Sequence, residues 1–354
     1  MKPFVKSILP AAKTVLIACA VAALTGCGDK SSQASGGSRN VPQLKVAKSA
    51  CASLFIDMER AVPRALELAS AAKGELHASQ RSKLEKSTKE FFEEIEKFFG
   101  SSNNVKWVMC SYCTNKYGTI KMCFSSHVTD GKSAFERQIK SGKFKETGKK
   151  AGGEDVFKFD YSGYVARVGD IFVFSDKMEI LEEQVRTWKG ELEANAGFAS
   201  LPDLGDAVVR FMVPEFGKSI KPLKLEREVR DSAKMCGMED APEFIGRCGR
   251  LVADFSAGSG NIHGRCTVSA GEDAGKVRAF LVKLSDALFT LYGRMLPMGL
   301  PGENGKEVSG FIDKVHGSVK IGCEGSAVSL GLSVDVREMA RMLRIAAEDG
   351  GGRK

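Results

Sequence analysis

The sequence predicts an α+β protein in two similar halves, each an antiparallel sheet of hairpins packed by helices, a layout that suggests internal duplication. Three observations predict it. A unit of alternating strand, turn, alternating strand and capped helix recurs four times. Each hairpin, closed at its own turn, gathers its apolar residues on one face. A strand followed by helical sequence precedes each pair of hairpins. The halves run over 46–195 and 200–350. The whole chain of 354 residues is 43% hydrophobic and 27% charged, an ordinary globular composition that excludes disordered and collagen-like classes.

The first half opens with a strand over 53–57 and a helix from about residue 59. A second helix over 79–99 carries Leu84, Phe91, Phe92, Ile95, Phe98 and Phe99 at helical spacing and stops at Gly100. A hairpin over 105–125, turning around 115–118, puts Trp107, Met109, Cys113, Ile120, Met122 and Phe124 on one face. Ser133 and Glu136 then open a short helix. A hairpin over 163–175 turns at Gly169-Asp170, glycine supplying the positive φ of the first turn position. Its face holds Tyr164, Ala166, Val168, Ile171 and Val173. Asp176 and Glu179 form a capping box for a helix ending near Trp188.

The second half begins with a strand over 207–213 and a helix within 218–236. In a hairpin over 250–268, a turn at Gly258-Ser259 aligns Leu251, Ala253 and Phe255 with Ile262, Cys266 and Val268. Ser269 and Glu272 cap a helix whose apolar stripe is Val277, Phe280, Leu281, Leu284, Leu288 and Leu291. In a hairpin over 317–334, a turn at Glu324-Gly325 aligns Val319, Ile321 and Cys323 with Val328, Leu330, Leu332 and Val334. Asp335 and Glu338 cap a helix to about residue 347.

The amino terminus has a different character. Lys2, Lys6 and Lys13 precede a short apolar run over 14–24, which is too short to span a bilayer as a helix. Leu24-Thr25-Gly26-Cys27 follows. A charged start, a short apolar stretch and small residues before a cut describe an export signal. The last four residues resemble the lipobox of bacterial lipoproteins. The resemblance covers residues 1–27 and implies a signal peptide over 1–26, cleavage before Cys27 and a covalent lipid on its sulfur. It also implies acylation of the new amino terminus in many Gram-negative bacteria, and several acyl chains anchor stably where one is marginal. Residue 28 is Gly and not Asp, which by the same resemblance favours the outer membrane. The lipidated Cys27 and a flexible tether occupy 27–45. The polar stretch 28–40 reaches on the order of 20 Å by the root-length rule.

The chain has 52 basic and 44 acidic residues, but the leader lysines leave with the signal, so 49 face 44 in the mature part. An excess of five gives no footprint for nucleic acid. Lys132, Lys140, Lys143, Lys145, Lys149 and Lys150 read as a solvated helix end and loop, able to touch anionic lipid or cell-wall polymer.

Eight cysteines remain beyond Cys19 and Cys27, and an exported chain meets an oxidising compartment. The 115–118 turn sets Cys110 opposite Cys123, a candidate disulfide, and Cys236 and Cys248 flank an irregular stretch and could close a second. Cys266 and Cys323 fall on core faces. Cys110-x2-Cys113-x9-Cys123-x3-His127 has zinc-like spacing, but residues three apart on a strand point to opposite faces. Cys110-Ser-Tyr-Cys113 has thioredoxin spacing but lacks the helix start that lowers a thiol pKa. Gly131-Lys132-Ser133 is a near miss of a phosphate loop and reads as helix capping. Ala327-Val328-Ser329-Leu330-Gly331 loosely matches a nucleophile elbow but sits within a strand. His77, His127, His263 and His316 are scattered.

These readings give an envelope lipoprotein with a non-catalytic binding or structural module and no cofactor beyond its lipid. Its partners are the membrane through the anchor and an envelope protein or polymer. The competing reading is an envelope hydrolase built from distant carboxylates such as Asp254 and Asp160. A third is a metal or redox module at Cys110, Cys113 and Cys123.

Overall fold

A computed structural model of the chain describes residues 44–99, 104–115, 117–159, 163–199, 204–258, 260–295, 297–300 and 302–350. The fold is α+β, with antiparallel strands packed by helices. The described residues divide into two compact units, 44–61 with 89–223 and 62–88 with 224–350. Residues 1–43, including the leader and Cys27, lie outside the described residues.

The division does not follow the 46–195 and 200–350 halves. It falls within two helices, α1 (Met58–Lys73) and α2 (Ala78–Phe99), which follow β1 (Ala50–Asp57). The first unit continues through β2 (Val105–Thr114), β3 (Ile120–Val128), α3 (Gly131–Lys140), β4 (Phe144–Ala151), β5 (Glu154–Phe159), β6 (Gly163–Val168), β7 (Ile171–Ser175), α4 (Met178–Lys189), α5 (Ala196–Ala199), β8 (Val209–Val213) and α6 (Phe216–Ser219). Its strand order is β8-β1-β2-β3-β7-β6-β5-β4. Strand β8, expected to open the second half, falls in the first unit and pairs with β1, Ser53 facing Met212 and Ile56 facing Val209.

The second unit holds α7 (Glu226–Met235), α8 (Ala241–Gly246), β9 (Leu251–Gly258), β10 (Asn261–Ser269), α9 (Ala274–Met295), α10 (Gly302–Ser318), β11 (Lys320–Glu324), β12 (Ala327–Asp335) and α11 (Val336–Gly350). Its strand order is β11-β12-β10-β9. Eight described strands against four do not show a duplication.

Hairpin register follows from the turns. In β6–β7, Val168 pairs with Ile171 across Gly169-Asp170, as expected, with Gly169 at φ 59°. In β9–β10, Gly258 pairs with Asn261, and in β11–β12, Glu324 pairs with Ala327. Both turns fall one residue later than expected. That moves the pairing by two and leaves every residue on its expected face.

The β2–β3 hairpin departs by one, and there the faces change. Its loop is five residues long, because Thr114 pairs with Ile120. Asn115 builds the loop: its side-chain oxygen accepts from the Tyr117 and Thr119 amides at 3.0 and 2.9 Å, and its own amide donates to the Thr119 carbonyl at 3.0 Å. Trp107, Met109 and Cys113 therefore share a face with Cys123, Ser125 and His127. Ile120, Met122 and Phe124 share the opposite face with Cys110 and Tyr112.

Helix α4 covers the Trp107 face. Trp188 stacks on Trp107 with ring centroids 5.6 Å apart, and its indole N–H donates to the Ser125 hydroxyl at 3.1 Å. The opposite face of β7 meets a phenylalanine cluster. Phe135 of α3 packs on Phe144, Phe157 and Phe172 at 5.0–5.3 Å, Phe159 packs on Phe174, and Phe99 of α2 joins Phe172 at 6.0 Å. The side chains of Phe91, Phe92, Ile95 and Phe98 lie outside the described residues. In the second unit, Phe289, Val308, Ile312, Val315 and Ile345 form one core cluster, while Ala72, Leu76, Val336 and Ala340 form another.

Helix starts differ in part from the capping boxes. At α11, Asp335 accepts from the amides of Arg337 and Glu338 at 2.7 and 3.2 Å, as expected. At α4, the N-cap is Lys177, whose amide donates to the Ser175 hydroxyl, and Asp176 caps nothing. A 3-10 turn over Gly271–Asp273 leads into α9.

Candidate functional site

Most of the candidate chemistry read from the sequence lies on the cysteines. All eight in the described residues are free. Cys110 and Cys123 cannot bridge, because the one-residue change of register sends them to opposite faces of the hairpin: Cys110 faces Phe124, and Cys123 faces Ser111. Cys236 and Cys248 are also unbridged. Cys236 ends α7 half-buried, while Cys248 is buried and turns its thiol toward the Phe244 carbonyl at 3.6 Å. Cys323, expected on a core face, is exposed on β11.

Cys113 and Cys123 share the face under α4, near Glu183. That carboxylate accepts from the Ser49 amide at 2.9 Å and the Ser49 hydroxyl at 2.5 Å. Cys51, the extra residue of a bulge in β1, donates its thiol to the Tyr112 carbonyl at 3.2 Å. Burial pushes the Cys110 and Cys113 thiols up to about 12, with the Glu183 charge adding to the effect at Cys113. Burial likewise pushes Cys123 well above the ordinary thiol range. A redox dithiol needs the opposite shift and a helix start, whereas Cys110 and Cys113 lie within a strand and on its opposite faces. The zinc spacing fails for a geometric reason. Cys113, Cys123 and His127 lie on one face, Cys110 lies on the other, and no group of three metal-ligating side chains forms among the described residues.

The other motifs resolve in the same way. The Gly131 amide, which a phosphate loop would turn to its ligand, donates to the Asp170 carboxylate at 3.0 Å. A Cβ at Gly131 would also meet the Asp170 Cα at 2.8 Å, so glycine is there for packing. Ser329 sits mid-strand in β12, between Thr267 and Gly322. His127 stacks on Trp107 at 6.1 Å, and His316 stacks on Phe289 at 4.6 Å with its ring nitrogen 3.1 Å from Asp286. Asp254 is half-buried mid-strand in β9, and Asp160 lies outside the described residues. Glu85, Glu191 and Asp273 titrate low because Lys73, Lys189 and Arg247 bond to them. A general acid needs a carboxyl held high.

Lys132 and Lys140 lie on α3 and Lys143 in the turn after it, as expected, but the rest of the lysine stretch is strand and not loop. Lys145, Lys149 and Lys150 lie on β4, the outer strand of the first unit's sheet, and Lys149 sits over the Tyr164 ring at 5.7 Å. Lysines on an outer strand disfavour edge-to-edge pairing.

One surface feature escapes the sequence pattern. The stripe expected along α9 turns at its end: Phe289 is buried, and Leu291, expected in the core, is exposed. Leu291, Tyr292, Met295 and Met298 are 43, 39, 61 and 84% exposed. The signal available was a helical spacing that puts Phe289 and Leu291 on different sides of one turn.

No protein-family model matches the chain, and no curated protein matches it. Solved structures of TP0453 in crystal forms III, I and IV align over 84, 85 and 85% of this chain and 96, 95 and 97% of their own. Identities are 11, 10 and 10%, and TM-scores are 0.40, 0.38 and 0.40. Likeness at that level assigns neither a shared fold nor a function.

Proposed function

We propose that the chain is an exported lipoprotein, held to a cell-envelope membrane by lipid on Cys27, whose folded part is a binding or structural module. The observation that carries this reading is Leu24-Thr25-Gly26-Cys27 behind a basic and then apolar leader. Two acyl chains on one thioether suffice for stable anchoring, and a third on the amino terminus strengthens it. No helix among the described residues is long and apolar enough to cross a membrane. Glycine at residue 28 favours the outer membrane.

The test is acyl labelling with membrane fractionation. The wild-type chain is expected to take up labelled fatty acid and sediment with membranes. Cys27→Ser is expected to take up none and to keep its leader uncleaved. An unlabelled wild-type chain, or label retained by Cys27→Ser, would overturn the reading.

A further inference from the structure

We propose that the end of α9 and the Pro297–Gly299 turn form a second, non-covalent membrane contact, which lays Leu291, Tyr292, Met295 and Met298 into the interface of an anionic bilayer. This rests on the reading that Cys27 is acylated. Four large apolar side chains exposed within eight residues are unlike the scattered exposure that any surface shows. Leu291 and Tyr292 each lie about one turn from Met295, at i+4 and i+3, so each borders it on the helix surface. Pro297–Gly299 then adds Met298, the most exposed large hydrophobic residue described.

The charge pattern selects the occupant. Between Asp286 and Glu303 the only charged residue is Arg294, which is exposed. The segment 287–302 is therefore apolar, cationic and without an acid of its own, the composition that partitions into a negatively charged headgroup layer. Tyrosine suits that depth, with a ring that buries and a hydroxyl that stays wet. A lipid on Cys27 with a tether reaching about 20 Å would hold the folded part close to a bilayer. A weak contact then acts at high effective concentration.

The experiment uses the full mature chain from Gly28, made without lipid, in co-sedimentation with vesicles. Vesicles of phosphatidylglycerol and phosphatidylethanolamine are expected to bind it more tightly than vesicles of phosphatidylcholine. The double variant Met295→Ser, Met298→Ser is expected to bind roughly tenfold more weakly. Arg294→Glu should weaken binding to the anionic vesicles only. All three positions are exposed, so thermal melting should be unchanged, and Tyr292→Trp should shift its emission to the blue on vesicles. A chain that ignores vesicles, or a double variant that binds like wild type, would overturn the proposal. So would dimers that disappear with Met298→Ser, because they would give the tip to a second copy. Acylation is read separately from the mass of the native chain. An acylated chain whose unlipidated form ignores vesicles keeps the anchor and loses the tip. A chain that binds vesicles but carries no acyl group loses the anchor.

Discussion

Strands β7, with four apolar residues of five, and β12, with five of nine, bury them in different ways. In β7, Phe172, Val173, Phe174 and Ser175 are buried in succession, with α4 over one face and the phenylalanine cluster over the other. In β12, Val328, Leu332 and Val334 are buried, while Ser329 and Ser333 between them are only half-buried. A strand covered on both faces loses its period of two and keeps no internal record of its register. A strand covered on one face carries that record in its alternation. The β2–β3 hairpin, in the covered region, departs by one residue from the register its turn implies, and both second-unit hairpins keep their faces despite late turns.

The sharpest way to break this comparison is an all-or-none crosslink. Ser111 faces Cys123 directly, at the roughly 4.5–5.5 Å typical of paired Cα atoms. Ser111→Cys is expected to give a disulfide between the introduced thiol and Cys123 under mild oxidant, and the wild-type chain no Cys110–Cys123 peptide. A Cys110–Cys123 bridge would overturn this register in favour of the one a 115–118 turn implies. Next in size is Phe172→Ala, expected to cost about 3–5 kcal/mol in denaturant unfolding. Leu332→Ala should cost less, because one side of its strand is only half-covered. Equal costs would erase the distinction.

A third effect follows pH. The Cys110 and Cys113 thiols titrate near 12 when folded and near 9.0 when exposed. Below 9.0 both states hold the proton and stability is unaffected. From 9.0 toward about 12 the unfolded chain loses protons that the folded chain keeps, so stability falls as pH rises. Cys110→Ala should flatten that fall. At neutral pH an alkylating reagent should modify exposed Cys323 at once and Cys110, Cys113 and Cys123 only on unfolding. The smallest effect is Gly169→Ala, where φ is 59° and a Cβ meets nothing within 4 Å. Only backbone strain remains, about 1 kcal/mol.

Much of the fold was legible because turn and alternation agreed. Gly169-Asp170 gave its register outright, and Asp335 caps α11 as its spacing implied. Three things were not legible. Asn115 lengthens its loop by one residue through side-chain bonds that a turn count does not register. The pairing of β8 with β1 joins residues more than 150 positions apart, beyond any local pattern. The exposed end of α9 was hidden by a stripe that looked continuous, because Phe289 takes the core position and Leu291, two residues on, falls on the other side of the helix. At the candidate site, the cysteine spacing was visible, but the face of each thiol depended on that same loop.

The lipid on Cys27 is the central claim, and intact mass of the chain purified from its native membrane tests it most directly. The expected product begins at Cys27 and is heavier by its acyl groups, with all eight thiols of the described residues free to alkylation in denaturant. A chain that begins elsewhere, or one that begins at Cys27 without added lipid, would contradict it.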